Sequence, residues 1–438
     1  MIVRREVDRK KVEQFVKHAS DQVAAGFNCS VSYLGDQLGL YKIIDKEGPV
    51  TSEQLAVSTG LHERWLREWL RHQACVGHLE YQTDSDAFYL TPEAAVVLCD
   101  DDNPMFFASG FAAIASTHAS LPKMPDVFRT GLGLSYDEHG EGCACGIERL
   151  NNYFPRNELV PNLIPQLDGI EEILRQGAKV ADVGCGSGIA VIEMAKAFPN
   201  SSFVGYDNSK HALERASHNL VESDIHNLSF VDPTHFPLPN DHSMDFITTF
   251  DVIHDTPYPA EMIEAIYGSL KPEGTWLCSD IKSFPTFEEN LSENPSAALF
   301  YGFSLMVCMS SSMSTPDGAG LGTLGFNEKV AREMTKVAGF TRFETMEIDK
   351  GINNYYQIRP KISSGGKEGF SLLKKSLSTR SCVKRSGAVI QSDCLFRHRI
   401  DLTCSSNRNF RSQWFYASRR WFQLLFYREV FRLNLPRE

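Results

Sequence analysis

The chain has 438 residues, of which 42% are hydrophobic and 23% charged, so it is globular rather than disordered or fibrous. The net charge of −11 is the sum of an acidic and a basic part of the chain. Residues 361–438 are basic, with 16 Lys and Arg against 5 Asp and Glu. The remaining acidic body argues against nucleic-acid binding by phosphate neutralisation. No apolar run reaches the ~18 residues that a membrane span needs.

The N-terminal residues Met1–Glu6 contain no apolar segment, so we expect no secretory signal. Eleven cysteines without paired metal spacing are typical of reduced thiols in a cytoplasmic protein. His139, Glu141, Cys143 and Cys145 lie close in sequence, but one Cys-x-Cys without a second pair is weak evidence for zinc. We therefore predict a cytoplasmic protein without a metal site.

Residues 1–100 show the element order of a winged helix. The elements are a helix with one apolar face around Tyr33–Ile44, a helix capped at Thr51 and ending at Gly60, a helix from His62, and a hairpin over Leu79–Leu90. A winged helix can bind DNA, but residues 1–150 carry 14 basic and 22 acidic side chains. Packing of two chains explains this domain better, and residues 101–150 are expected to form connecting helices.

Residues 151–360 alternate strand and helix, which is the pattern of a doubly wound parallel sheet. The predicted strands are Lys179–Val183, Phe203–Tyr206, Leu228–Val231, Phe246–Phe250, Trp276–Ser279, Phe343–Ile348 and Tyr355–Ile358, with a helix over Ile189–Phe198 and a turn at Lys271–Gly274. The α/β fold is complete before residue 361. The basic residues 361–438 are either an arm for an anionic surface or an unstructured tail, and we expect the second.

A glycine-rich turn, Asp182–Gly188, separates the first strand of this region from its helix. Glycines let the backbone approach a ligand, and the helix N-terminus presents N–H groups to an anion. A dinucleotide loop would need a small residue where Ile189 stands, so that alternative is disfavoured. A purely structural turn remains an alternative.

Acidic residues end three successive strands of this region: Asp182, Asp207 and Asp232. Parallel strands bring such ends to one crevice at the switch point of the sheet, where carboxylates can accept hydrogen bonds from a ligand. Each acid alone could be an ordinary loop or capping residue. Together they predict a binding site for a nucleoside-like molecule.

These motifs resemble those of the class I S-adenosylmethionine-dependent methyltransferases, over about residues 20–360. Residues Asp182–Gly188 match the glycine motif of that family. Asp207-Asn208 match the position that binds the ribose of the cofactor, and Asp232 matches the position that contacts its adenine. The resemblance implies a seven-stranded Rossmann-like sheet whose last strand is antiparallel. The preceding domain is similar to the dimerisation module of winged-helix methyltransferases from mycobacteria and animals. The implied cofactor-binding residues are Asp182, Gly184, Cys185, Gly186, Gly188, Asp207, Asn208, Asp232 and Phe250.

The pair His254-Asp255 follows the fourth strand, where O-methyltransferases of plant type carry a His-Asp pair. An imidazole titrates near pH 6.5 and can take a hydroxyl proton while the methyl group moves in line to oxygen. The same histidine could instead cap a helix or hydrogen-bond inside its loop. Residues Phe300–Met313, rich in Phe and Met, would form either a core helix or an adaptable pocket wall.

The sequence therefore predicts a homodimeric S-adenosylmethionine-dependent methyltransferase. Its substrate would be a small molecule methylated at oxygen, with His254 as candidate general base. The alternative is a winged-helix transcriptional regulator or a catalytically silent protein that binds the cofactor as a signal. No nucleic acid is an expected partner, and no membrane span is expected.

Overall fold

The computed structural model describes residues 7–348 and 351–360 of the chain. The predictions about the basic tail, residues 361–438, lie outside the described residues. None of the described helices is both long and apolar enough to cross a membrane.

Helices and a small hairpin form the first part of the chain. The helices are α1 Arg9–Gln37, α2 Leu40–Glu47, α3 Ser52–Thr59, α4 Glu63–Cys75, α5 Pro92–Leu98, α6 Ala108–Thr117, α7 Met124–Thr130 and α8 Glu141–Asn151, and the hairpin strands are β1 Glu80–Gln82 and β2 Ala87–Tyr89. The predicted order of helix, helix and hairpin is confirmed. The capping box at Thr51 is present, since its hydroxyl accepts from the N–H of Gln54.

The predicted single apolar face around Tyr33–Ile44 is divided between two helices. The chain turns after Leu38 because Gly39 adopts a φ of +67°, which favours glycine. Leu40 and Ile44 are then buried in the core of their own domain, whereas Leu34 and Leu38 stay about half exposed. The expectation that this whole face meets a partner chain is therefore wrong for Leu40 and Ile44, which their own chain already covers.

The core of the winged helix is apolar, and two hydrogen bonds connect its helices. The buried side chains include Leu40, Ile44, Leu55, Leu66, Leu70 and Phe88. The indole N–H of Trp69 donates to the carbonyl of Val31 at 3.0 Å, and the hydroxyl of Tyr41 donates to Gln73 at 2.6 Å. These bonds satisfy the polar ends of two large side chains, so that both can be buried.

The connecting helices pack closely against the domain on each side. Helix α6 lies against both α1 and α8. A Cβ at Gly146 in α8 would come within 2.9 Å of the backbone N of Ala113 in α6, so glycine permits this close approach. Arg149 of α8 binds Asp36 of α1 at 2.6 Å. Helix α8 is thereby held against the winged helix.

A seven-stranded sheet with helices on both faces forms the second part. Its strands are β3 Lys179–Val183, β4 Ser202–Tyr206, β5 Leu228–Val231, β6 Met244–Phe250, β7 Leu270–Ile281, β8 Arg342–Thr345 and β9 Asn353–Arg359. The helices are α9 Ile170–Gln176, α10 Ile189–Ala197, α11 Lys210–Ser223, α12 Pro259–Ser269, α13 Phe287–Glu293, α14 Ala297–Phe303, α15 Met309–Ser312 and α16 Glu328–Ala338. Pro155–Leu163 and Ser304–Cys308 are π-helical, and His118–Ser120, Tyr136–His139 and Ile164–Gln166 are short 3₁₀ helices.

The strand order is β5-β4-β3-β6-β7-β9-β8, and β9 runs antiparallel to both of its neighbours. The implied seven-stranded sheet with an antiparallel last strand is thus confirmed. Strand order reverses beside β3, so the carboxyl ends of β3 and β6 flank a crevice. That crevice is where a ligand of this fold class binds.

Two of the predicted boundaries were wrong. The predicted turn Lys271–Gly274 lies within β7, whose pairing with β6 shifts register between Leu270 and Thr275. The predicted strand Phe343–Ile348 ends earlier, because β8 pairs with β9 only over Arg342–Thr345. Both errors concern irregular pairing, which depends on the neighbouring strand rather than on local sequence.

Candidate functional site

The glycine-rich turn after β3 has a backbone that requires glycine. Gly184, Gly186 and Gly188 adopt φ values of +71°, +54° and +78°. A Cβ at Gly184 would come within 2.3 Å of Val252, and one at Gly188 within 2.4 Å of Phe230. Gly184, Cys185 and Gly186 line the large cavity beside the turn, whereas Gly188 packs behind it. Gly184 and Gly186 thus face the cavity, whereas Gly188 has a packing role.

Asp207 lies at the carboxyl end of β4 and lines the same cavity. Its two carboxylate oxygens accept from the backbone N–H groups of Gly186 and Ser209, each at 2.8 Å. Burial raises the pKa of Asp207, while these two N–H groups oppose the shift. The carboxylate thus ties the glycine turn to the next strand and retains lone pairs for a ligand.

Asp182 of β3 is only 1% exposed. Its Oδ1 accepts from the hydroxyl of Thr248 at 2.6 Å, but its Oδ2 has no hydrogen-bond partner in the described part of the chain. Burial raises the pKa of Asp182 to about 7. A buried polar atom without a partner beside a cavity is unusual, and it marks a place for a ligand group or water.

The cavity has a volume of about 1270 Å³. Sites for one small ligand usually measure ~300–1000 Å³, so this cavity has room for two molecules side by side. Its walls come from the turn after β3, the ends of β4, β6 and β9, and helices α6, α8 and α14. Phe250 and Asn208 line it, as the sequence predicts.

Asp232 is not among the residues that line this cavity, although the following Pro233 is. The carboxylate of Asp232 accepts from the N–H and the hydroxyl of Thr234, at 2.8 and 2.6 Å. It borders a smaller neighbouring depression together with Asn208. The structure therefore brings Asp182 and Asp207 together, and leaves Asp232 at the side of the site.

His254 follows β6 and is 2% exposed. Its Nδ1 lies 2.7 Å from Oδ1 of Asp280, which ends β7. Burial by itself would lower the pKa of His254, but the Asp280 carboxylate and the nearby Cys308 raise it well above its usual value. His254 does not itself line the cavity, whereas its neighbour Asp255 does.

Sequence reasoning missed three polar residues close to His254: Asp280, Asp251 and Asn353. Asp251 lines the cavity, and its Oδ1 accepts from the amide of Asn353 at 2.6 Å. Its φ is +57°, a conformation that non-glycine residues rarely adopt. Asp280 could have been found as an acid directly after a predicted strand, like Asp207. Asn353 comes from β9, and no local signal connects it with the site.

Aromatic side chains form one wall of the cavity. The ring of Phe154 stacks on Tyr355 at 5.4 Å between centroids and lies 6.1 Å from the ring of Phe250. Phe300 and Phe303 of α14 also line the cavity. The segment Phe300–Met313 therefore contributes to the pocket wall, while its residue Val307 is buried in packing.

Many residues between positions 135 and 152 line the cavity and form a cover on its α11 side. Asp137 accepts hydrogen bonds from the hydroxyl of Ser209 and from the N–H of Lys210. Glu148 of α8 pairs with Arg215 of α11 at 3.1 Å. This cover is thus attached to the same helix α11 that follows Asp207.

No group of three or more His, Cys, Asp or Glu side chains in the described residues is arranged to hold a metal ion. His139 and Cys143 are both buried, while Cys145 is exposed. Both ring nitrogens of His139 lack partners within the part of the chain that the structure describes. The sequence cluster His139–Cys145 therefore does not converge on one point.

Family models match two regions of the chain. A model described as a methyltransferase domain matches residues 174–350, and one described as an Rv2258c-like winged HTH domain matches residues 25–100. Among curated proteins, the chain is 29% identical over 109 residues to a demethylmenaquinone methyltransferase of Listeria monocytogenes, covering 24% of this chain and 46% of that protein. It is 26% identical over 132 residues to a ubiquinone biosynthesis O-methyltransferase of Neisseria meningitidis, covering 30% and 54%. The chain thus spans about half the length of these relatives.

Solved structures resemble the chain over most of its length. The mitomycin 7-O-methyltransferase MmcR matches with a TM-score of 0.60 and 18% identity, over 81% of this chain and 100% of that one. Human N-acetylserotonin methyltransferase in complex with SAM matches with a TM-score of 0.57 and 16% identity, over 82% and 99%. At such identities the likeness concerns the fold. Along the chain, a region that matches the model of an Rv2258c-like winged HTH domain is thus followed by a region that matches the model of a methyltransferase domain.

Proposed function

We propose that this protein is an S-adenosylmethionine-dependent methyltransferase that acts on a small molecule, at oxygen. One observation carries the proposal. The glycine turn, Asp207 and the unpartnered Oδ2 of Asp182 all border one end of a cavity that has room for a second ligand. Two similar structures, those of human N-acetylserotonin methyltransferase and of NcsB1, are complexes with S-adenosylmethionine.

The residues at the β3 and β4 ends fit this cofactor. Asp207 has free lone pairs for the two ribose hydroxyls, and such charge-assisted bonds are strong. The glycine turn lets the backbone lie against the amino-acid part of the cofactor, and Asp182 can accept from a donor there. When bound, the cofactor supplies a methyl group on a positively charged sulfur. The protein's own task is to align the acceptor and to take its proton.

His254 and Asp280 suit the removal of that proton. Asp280 accepts from Nδ1 of His254, which leaves Nε2 as the basic nitrogen. The carboxylate holds the ring in this tautomer and stabilises the imidazolium that forms when the proton arrives. His254 is buried and its neighbour Asp255 lines the cavity, so the proposed proton transfer requires the ring or its loop to move toward the acceptor.

The alternative of a regulator or silent cofactor-binding protein is less well supported. The acidic winged helix does not suit DNA, and a cavity for a single ligand would need less volume. Isothermal titration with S-adenosylmethionine tests cofactor use. Incubation of the protein with a metabolite extract and cofactor labelled in its methyl group then tests transfer. Cofactor binding without any labelled product would favour the sensor.

We also propose a cytoplasmic homodimer that pairs through α1. The apolar residues Val12, Val16, Val23, Phe27, Leu34 and Leu38 recur at steps of four and seven along this helix, and each is between 45% and 67% exposed. Such spacing aligns them in one stripe. An exposed apolar stripe on a 29-residue helix favours association with a second copy. The cysteines of the described residues are free, as expected of a reducing compartment.

A further inference from the structure

We propose that the acceptor substrate carries a positively charged nitrogen, which the carboxylates of Asp251 and Asp255 hold against aromatic rings. The inference rests on the proposed methyl transfer and names the chemical class of its substrate. The charged nitrogen serves recognition, while the methyl group goes to another atom of the same molecule. Three features of the cavity wall carry the inference.

The first feature is the fixed position of Asp251 on the cavity wall. Its N–H donates to the carbonyl of Ser279 at 3.0 Å, and its Oδ1 accepts from Asn353 at 2.6 Å. The left-handed φ of +57° costs free energy, and it persists only because these neighbours enforce it. Strained residues of this kind concentrate where ligands bind. The arrangement fixes a carboxyl group beside the acceptor end of the cavity, and a bound ammonium group would favour its charged form.

The second feature is that neither carboxylate pairs with a lysine or arginine among the described residues. Burial raises the pKa of Asp251 and of Asp255 to about 7, and the neighbouring Asp280 raises both further while His254 opposes it. Asp255 makes no side-chain hydrogen bond or ion pair with any residue that the structure describes. Buried carboxylates without a partner are costly. A cationic ligand would relieve that cost.

The third feature is the aromatic wall next to Asp251. The ring of Phe154 lies beside both Phe250 and Tyr355, and the charge of Asp251 contributes to the raised pKa of Tyr355. The faces of aromatic rings attract ammonium groups, most strongly where water is excluded. Carboxylates and ring faces together form a site for a substituted amine.

The charge of the whole wall agrees with this selectivity. Among the described residues that line the cavity, Arg215 is the sole lysine or arginine, and Glu148 already binds it. Nine lining residues are Asp or Glu: Asp137, Glu141, Glu148, Glu158, Asp182, Asp207, Glu214, Asp251 and Asp255. A substrate with a carboxylate or phosphate would meet no free lysine or arginine among these residues. An ammonium group would meet the two carboxylates of Asp251 and Asp255.

Three phenols of similar shape and different charge test the inference. The probes are tyramine, 4-ethylphenol and 3-(4-hydroxyphenyl)propanoate, titrated by calorimetry into full-length protein saturated with S-adenosylhomocysteine. That product already occupies the cofactor end, so its own ammonium group does not compete. We expect tyramine to bind ~10-fold or more tightly than 4-ethylphenol, and the propanoate to bind more weakly than either.

Two variants locate the effect. In Asp251→Asn and Asp255→Asn, the affinity for tyramine should fall ~10-fold while the affinity for 4-ethylphenol changes less than ~2-fold. Glu214→Gln is the matched control, since it removes one negative charge from the cavity rim on α11. It should leave the preference for tyramine intact.

Each unfavourable result has its own meaning. If S-adenosylhomocysteine does not bind, the proposed function fails. If it binds but tyramine shows no advantage or no binding, only the present inference fails. The inference is also overturned if Asp251→Asn and Asp255→Asn weaken S-adenosylhomocysteine and leave tyramine unaffected, since the carboxylates would then serve the cofactor.

Discussion

His254 and Asp280 form a buried pair, with Nδ1 of the imidazole 2.7 Å from Oδ1 of the carboxylate and both side chains at most 3% exposed. The two residues are 26 positions apart, since His254 follows β6 and Asp280 lies near the end of the neighbouring parallel strand β7. The second carboxylate oxygen of Asp280 has no partner among the described residues, so the histidine is its main compensation. The first prediction follows from this pair.

If His254 is the general base, His254→Ala should lower turnover by about 10²–10⁴ and leave cofactor affinity nearly unchanged. The measurement combines turnover of the acceptor found with labelled cofactor and calorimetry with S-adenosylhomocysteine. A variant with normal turnover would leave the histidine only a structural role. Substitution of the neighbouring exposed Tyr258 by Phe is a control that should change neither quantity.

The dependence of turnover on pH should be controlled by Asp280. Only the neutral imidazole accepts a proton, and the carboxylate holds the pKa of His254 well above its usual value. Turnover should therefore rise with pH until the raised pKa is passed. Asp280→Asn removes the negative charge, so the midpoint of this rise should move to lower pH. An unchanged midpoint would show that the pair does not control the proton transfer.

Asp207→Ala should weaken cofactor affinity roughly tenfold or more. The variant loses charge-assisted hydrogen bonds that contribute about 1.5–3 kcal/mol to binding. Each ~1.4 kcal/mol of binding free energy corresponds to a factor of ten in affinity. Asp232→Ala is the matched comparison, because that carboxylate lies outside the main cavity. Its effect on affinity should be smaller. Equal losses for both variants would contradict the placement of the cofactor at the β4 end.

Asp182→Asn should change how stability depends on pH. Burial raises the pKa of Asp182 to about 7, against ~3.9 in the unfolded chain. The folded protein therefore binds a proton that the unfolded chain has lost, and stability falls as pH rises from about 4 through about 7. The advantage of the variant over the parent protein should grow by about 2 kcal/mol or more between pH 5 and pH 8.

Denaturant unfolding at the two pH values measures this difference without cofactor. Asp232→Asn provides the control with the opposite sign, since Thr234 lowers the pKa of that exposed carboxylate. Its effect should be small and should not favour the variant at high pH. The difference in the free energy of unfolding between Asp182→Asn and the parent protein could also be the same at both pH values. That result would contradict a neutral, buried carboxyl group at Asp182.

The proposed dimer predicts that charges on the α1 stripe separate the chains. Val23→Glu combined with Phe27→Lys places charges at two side chains that are 62% and 67% exposed, so the fold of a single chain should tolerate them. Sedimentation should show a dimer for the parent protein and a monomer for the variant. The exposed Val221 and Val337, on other helices, allow a control with equal charges that should remain dimeric. A parent protein that sediments as a monomer would refute the dimer.

Local patterns in the sequence determined the elements and the cofactor loop of this protein. The capping box at Thr51, the alternation of strand and helix, and the glycines after β3 act over a few residues, so sequence alone predicts them. The position of Asp207 could be predicted as well, because the carboxyl ends of parallel strands lie at the same edge of the sheet. The seven-stranded sheet was expected from a resemblance that rests on these motifs.

Only the tertiary structure decided which side chains meet. The bend at Gly39 directs Leu40 and Ile44 into the core of their own domain. Asp232 lies beside the main cavity rather than in its wall. Asp280 reaches His254, and Asn353 reaches Asp251 across 102 positions of the chain. Such contacts depend on strand order and on the packing of distant segments, which no local pattern contains. The charge selectivity that we propose for the cavity depends on those same long-range contacts, because they bring carboxylates together without a lysine or arginine.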